Sequence, residues 1–165
     1  MTDRTNTKKS KTTKAKAPLP MIGWREWISF PDFGIEAVKA KIDTGARTSS
    51  IHALHIEHFR RHGAEWVRFQ IHPLQRDSRT TVDIEAELLE RRRITSSTGH
   101  ASLRPVVVTT ARLFDIQWEI ELTLTSRDEM GFRMLLGREA VRSRFVIDPA
   151  KSFLAGKRSP RKKRR

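Results

Sequence analysis

The chain has 165 residues, 37% of them hydrophobic and 32% charged, and no cysteine. That length accommodates one compact domain with tails, and the missing thiols exclude disulfides, Cys-ligated zinc and iron–sulfur clusters. Of the formal net charge of +14, residues 1–20 carry +5 and residues 157–165 carry +7, so the basicity belongs to the two ends and the span between is nearly balanced.

Residues 1–20, rich in Thr, Lys and Ala, have no apolar periodicity and read as a disordered basic tail. No apolar stretch follows their lysines, and no run in the chain approaches membrane-spanning length, which predicts a cytoplasmic protein without membrane contact. From residue 21 to 156 the governing signal is alternation with period two, the mark of strands. Val38, Ala40 and Ile42 share one face and Lys39, Lys41 and Asp43 the other. Val67, Phe69 and Ile71 alternate with Trp66, Arg68 and Gln70; Val82, Ile84, Ala86 and Leu88 follow, then Ile116, Trp118, Ile120, Leu122 and Leu124. Breakers at Pro31 to Gly34, His62-Gly63, Pro73 to Ser78, Ser96 to Gly99 and Ser126 to Gly131 separate these runs. Only Arg138 to Arg144, after Gly137, reads as helix. Residues 157–165 form a second basic tail, and both tails suit sequence-independent contact with RNA or the ribosome. The pattern predicts an all-β domain over 21–156: seven or eight short strands in a small β-barrel, with one short C-terminal helix. Trp24, Trp27, Trp66 and Trp118 fall on different strands and read as core or interface aromatics, not as a nucleic-acid stacking platform.

One stretch carries chemistry: Lys41-Ile42-Asp43-Thr44-Gly45-Ala46-Arg47-Thr48-Ser49-Ser50. It ends an apolar strand on a carboxyl group, adds a hydroxyl, then supplies glycine for a tight turn. About ninety residues later come Leu135-Leu136-Gly137 and the short helix. This layout resembles retropepsin-like aspartic proteases, in which an apolar-apolar-Gly strand crosses behind the active-site loop.

A closer resemblance covers residues 21 to 156. Gly23-Trp24-Arg25-Glu26, Ala40 to Ser49, Ser97-Thr98-Gly99-His100, Arg104-Pro105-Val106 and Met130 to Arg138 are similar to the bacterial family labelled ATP-dependent zinc proteases. That family is also described as retropepsin-like and RimB-like, and some members are encoded beside a ligase that adds glutamates to a ribosomal protein. The resemblance implies a peptide-bond hydrolase with Asp43, Thr44 and Gly45 as its catalytic loop. An aspartic protease needs two carboxyl groups sharing one proton, and this chain holds a single Asp-Thr-Gly. The second carboxyl would come from another copy, placing the site at a homodimer interface, with the Thr44 hydroxyl holding the loops together.

The family label also names ATP and zinc. No Gly-x-x-x-x-Gly-Lys-Ser/Thr loop is present, nor a His-Glu-x-x-His pair. His52, His55 and His58 recur at spacing three, which would gather them on a helix but sends neighbours to opposite faces of a strand; no cofactor is expected. The core holds 17 Arg and only 3 Lys, and arginine suits bidentate carboxylate recognition. Lys41 and Arg47 flank Asp43, where they would favour its ionised form. Arg91-Arg92-Arg93 lead into a polar turn that would serve as a flap. Lys41, Arg47, Arg104, Arg138 and His100 are therefore the candidate substrate-binding residues, and the expected substrate is an acidic peptide or polyglutamate tail. The alternatives are a noncatalytic module that binds acidic peptides and RNA, or a zinc hydrolase using His52, His55 and His58.

Overall fold

A computed structural model describes residues 17–74, 79–96, 98–126 and 131–156. The expected basic tails therefore lie outside the described residues, apart from 17–20, where the Pro20 carbonyl accepts a hydrogen bond from Val146.

Twelve strands, one short α-helix and a 3₁₀ turn (Pro31–Phe33) occupy the described residues: β1 (Met21–Gly23), β2 (Arg25–Phe30), β3 (Ile35–Asp43), β4 (Ser49–His52), β5 (Leu54–Arg61), β6 (Ala64–Ile71), β7 (Val82–Glu87), β8 (Glu90–Thr95), β9 (Ala101–Leu113), β10 (Ile116–Thr125), β11 (Met134–Gly137), α1 (Arg138–Val141) and β12 (Val146–Asp148). The main sheet runs β10-β4-β11-β3-β2-β9-β8, and pairing of β9 with β10 closes it into a barrel. The expected all-β barrel is the fold observed. Alternation explains it: Val38, Ala40 and Ile42 of β3 point into the core, as do Ile120, Leu122 and Leu124 of β10. A separate antiparallel sheet, β5-β6-β7, turns Val67, Phe69, Ile71 and Ile84 onto the same core. The link runs through Phe33, edge-on to Phe69 at 5.9 Å between ring centroids.

Two sequence expectations need correction. There are more strands than seven or eight, because β1, β4, β11 and β12 are only three or four residues long and too short to display alternation. The helix stops at Val141 and does not reach Arg144; Arg142 leaves helical geometry and Ser143 adopts a left-handed φ of 62°.

The Gly23-Trp24-Arg25-Glu26 segment fastens the end of the domain to its beginning. Glu26 is fully buried, and its carboxyl accepts backbone N–H bonds from Gly23 at 2.7 Å, Leu154 at 2.9 Å and Ala155 at 3.2 Å. Trp24 donates its N–H to the Lys151 carbonyl, and Phe153 donates to that of Arg25. A Cβ at Gly23 would sit 2.4 Å from the Lys151 oxygen, so only glycine lets the segments meet.

Candidate active site

The centre of the site is the loop from Asp43 to Thr48, between β3 and β4. β11 threads between those strands, parallel to β3 and antiparallel to β4, which sets Gly137 beside Asp43. The contact is backbone on backbone: a Cβ on Gly137 would fall 2.5 Å from the Thr48 carbonyl carbon, although the glycine's own φ of −75° suits any residue. Buried Ser49 completes the crossing by accepting the Gly137 N–H on its hydroxyl oxygen at 3.0 Å. Further bonds hold the loop from the helix side. The N–H groups of Arg138 and Glu139 donate to the carbonyls of Ala46 and Arg47, and the Arg138 guanidinium donates to the Thr44 carbonyl at 2.9 Å.

Asp43 is half-buried at the strand end, with Thr44 and Gly45 exposed beyond it. Its Oδ1 accepts N–H bonds from Gly45 at 3.1 Å and Ala46 at 3.2 Å, and a Cβ at Gly45 would come within 3.3 Å of that oxygen. One oxygen is thus fixed by the loop, while Oδ2 takes no hydrogen bond from the described residues and is free to engage water or substrate.

The family described as retropepsin-like aspartic endopeptidase RimB matches residues 21–158, a span that includes both the Asp-Thr-Gly loop and the Leu-Leu-Gly strand. The chain belongs to the RimB-like family. Among curated proteins it is 52% identical over 130 residues to one named probable alpha-L-glutamate ligase from Desulfotalea psychrophila, covering 79% of this chain and 28% of that protein. A protein of the same name from Shewanella pealeana is 46% identical over 138 residues, covering 84% of this chain and 30% of that one. The chain thus spans under a third of the length of these relatives. Among solved structures, Lpg0085, a Legionella pneumophila protein of unknown function, aligns with a TM-score of 0.70 at 28% identity, covering 82% of this chain and 98% of that one.

In this RimB-like domain the remaining sequence candidates fall in several places. Lys41 lies on the outer face of β3, exposed, two residues before Asp43. Arg47 instead lines a cleft of about 260 Å³ with Glu119, Glu121, Glu139 and Arg144, so that cleft is mixed in charge and not basic. Arg138 serves the Thr44 carbonyl. β8 and β9 form the expected hairpin, with Thr95 paired to Ala101 and the exposed His100 in the turn. Arg104, half-buried on β9, donates to Ser102 and stands across from Arg92. His52 is buried in β4, whereas His55 and His58 are exposed on β5. Among the described residues no group of three His, Cys, Asp or Glu side chains is placed to hold a metal ion. No helix of the described residues is long and apolar enough to cross a membrane.

Sequence reasoning missed Ser49 and Arg92 as supports of this loop. Arg92 donates to Glu121 at 2.6 Å and to the Thr48 hydroxyl at 3.3 Å, joining the hairpin base to the loop. Glu121, with Glu90 adding to it, holds its guanidinium above the usual arginine range against the opposing effect of burial. Only pairing across distant strands reveals such partners, and no spacing in the sequence encodes it.

Proposed function

We propose that the chain is a peptide-bond hydrolase acting on acidic peptides, glutamate tails in particular, with its site assembled from two copies. The carrying observation is the Asp43 carboxyl, fixed through Oδ1 and open at Oδ2 on an exposed loop. Family membership supports peptidase chemistry. The name of the curated relatives, alpha-L-glutamate ligase, is a statement about those longer proteins, and it supports glutamate as the chemical context.

The chemistry needs one carboxylate and one carboxylic acid facing each other across a water. The carboxylate takes a proton as the water oxygen bonds to the scissile carbonyl carbon, and the acid protonates the carbonyl oxygen. Collapse breaks the C–N bond and returns a proton to the departing amine. Each chain supplies one Asp-Thr-Gly, so two subunits supply the pair. Thr44 and Gly45 shape the loops at the meeting point, and cations around them, Lys41 foremost, would attract the acidic chain.

The test is Asp43→Asn assayed on an oligoglutamate peptide. Turnover should fall by about 10²–10⁴-fold while peptide binding persists. Retained turnover would end the reading. Unaltered binding with no turnover even in the wild type would favour the noncatalytic module, and turnover lost only to a chelator would favour zinc.

A further inference from the structure

β8 ends the main sheet, with β9 as its neighbour there, and its two consecutive arginines leave on opposite faces. Arg91 turns to the outer sheet, where it donates to the Glu65 carboxyl at 3.2 Å and its Nη2 lies 3.3 Å from Nδ1 of His58. Arg92 turns to the Asp43 loop. Its Nη1 donates to Glu121 of β10 at 2.6 Å and to the Thr48 hydroxyl at 3.3 Å, while its Nε bonds Glu90 two residues back on β8. Thr48 is the residue whose carbonyl packs on Gly137. The residues on either side of it accept from the junction of β11 and α1: Ser49 Oγ from the Gly137 N–H at 3.0 Å, and the Arg47 carbonyl from the Glu139 N–H at 3.1 Å.

We propose that Arg92 is a positioning residue of this site: held between Glu90 and Glu121, its guanidinium fixes the Thr48 end of the Asp43 loop and ties that loop to the base of the β8–β9 hairpin. The proposal rests on the reading above only in taking Asp43 as the reacting group, and the order of the loop can be measured without turnover.

The two ends of the loop are held differently. The Asp43 end has supports of its own, in the Gly45 and Ala46 N–H bonds to Oδ1 and in Arg138 on the Thr44 carbonyl. At the other end, the Thr48 hydroxyl has no partner besides Arg92 among the described residues. A planar guanidinium presents its N–H groups in a fixed fork, so Arg92 serves acceptors on β8, β10 and the loop at once, at angles an ammonium does not hold. Charge-assisted bonds to two carboxylates orient it. Thr48 therefore meets a donor already in place, and the bond costs little in further ordering. The Arg92 side chain is 27% exposed against 38% for Arg91, so water competes less for it. Without the guanidinium, Glu90 and Glu121 would also face each other with no cation between them, a repulsion at the hairpin base.

The test is amide hydrogen exchange on the full chain, read at Gly137 and Glu139, whose N–H groups bond the neighbours of Thr48. In Arg92→Gln both should exchange roughly 10-fold faster or more. Arg91→Gln removes an ion pair from the other face of the same strand and should leave them at wild-type rates. Arg92→Lys keeps a charge between Glu90 and Glu121, so it should recover the melting temperature but not the slow exchange. Thr48→Val removes the hydroxyl alone and should speed the same two amides, and the double variant should be no faster than the faster single one. Should Arg92→Gln fail to fold, Thr48→Val decides by itself, since it leaves both ion pairs in place. If the wild type cuts oligoglutamate, Arg92→Gln should lower kcat and leave KM near its wild-type value. Wild-type exchange in a well-folded Arg92→Gln or Thr48→Val protein, an equal effect of Arg91→Gln, or additive effects of the Arg92 and Thr48 changes would overturn the assignment. The two readings fail separately. A wild type that never cuts oligoglutamate, with the exchange pattern intact, removes the hydrolase and leaves the positioning role. A wild type that cuts it, with Gly137 and Glu139 unmoved by Arg92→Gln, does the reverse.

Discussion

Two parts of the molecule, the β5-β6-β7 sheet and the outer face of β2 and β3, treat their surface cations in opposite ways. On the β5-β6-β7 sheet, Arg61 and Arg68 both bond Glu85, and Arg68 also nears Glu57 at 3.8 Å. Phe59 and Trp66 lie under these guanidinium groups, each within 5.5 Å of one or the other. There Arg61 and Arg68 each have an acid partner, the ordinary state of a solvated sheet face. On the outer face of β2 and β3, Arg25 and Lys39 lie against rings with no described acid in ion-pair reach, and order near the site comes from close backbone approach and buried hydrogen bonds: Gly137 on Thr48, Gly23 on Lys151, Glu26 on three N–H groups. The lesson is that rigidity and charge are supplied separately on that face.

If that separation is real, the largest stability loss should come from the buried carboxyl and not from any surface pair. Glu26→Ala strands the N–H groups of Gly23, Leu154 and Ala155 without their acceptor, at an expected cost on the order of 3–5 kcal/mol in urea unfolding. Glu26→Gln keeps one acceptor oxygen and should fall between Ala and wild type. A cost for Glu26→Ala no greater than that of Arg68→Gln would break the contrast.

Gly137→Ala should come next. Its Cβ meets backbone that cannot swing aside as a side chain would, so an overpacking cost of about 1–3 kcal/mol is expected. The disturbance should appear locally as faster amide exchange at Gly45 and Ala46, whose N–H groups bond Asp43. Wild-type exchange at those two amides would mean that β11 does not brace the loop.

These two residues also mark how far the sequence can be read. β3 and β10 are long enough for alternation to show, and the faces assigned to Val38, Ala40, Ile42, Ile120, Leu122 and Leu124 are the buried ones. The Asp43 loop and the Leu135-Leu136-Gly137 strand were legible as motifs, since their turn chemistry is local. The reason for Gly137 was not: its dihedrals are ordinary, and the demand comes from Thr48, close in space and 89 positions away in the chain. Glu26 alternates with apolar neighbours on an inward position, where composition alone would suggest a surface charge; its partners lie at 154 and 155. The grouping of Lys41 with Arg47 likewise followed nearness in sequence, whereas the turn after Asp43 carries Arg47 to a cleft lined by β10 and α1.

The smallest effect should come from the matched charges themselves. Hydrogen bonds from Arg61 and then Arg68 hold the Glu85 carboxyl below its ordinary value of 4.5. A carboxyl whose folded pKa is depressed contributes stability that is fully present above its unfolded pKa and lost as pH falls through the folded one. Glu85→Gln should therefore melt slightly below wild type near pH 7, by a few degrees at most because the pair is exposed. The gap should narrow as the pH drops below about 4.5 and close in strong acid, where the wild-type carboxyl is protonated too. High salt at pH 7 should shrink it as well, by screening. A gap that widened on acidification would mean that Glu85 is stabilised in its neutral form, and the outer sheet would no longer be the charge-matched surface that sets off the cations beside Asp43.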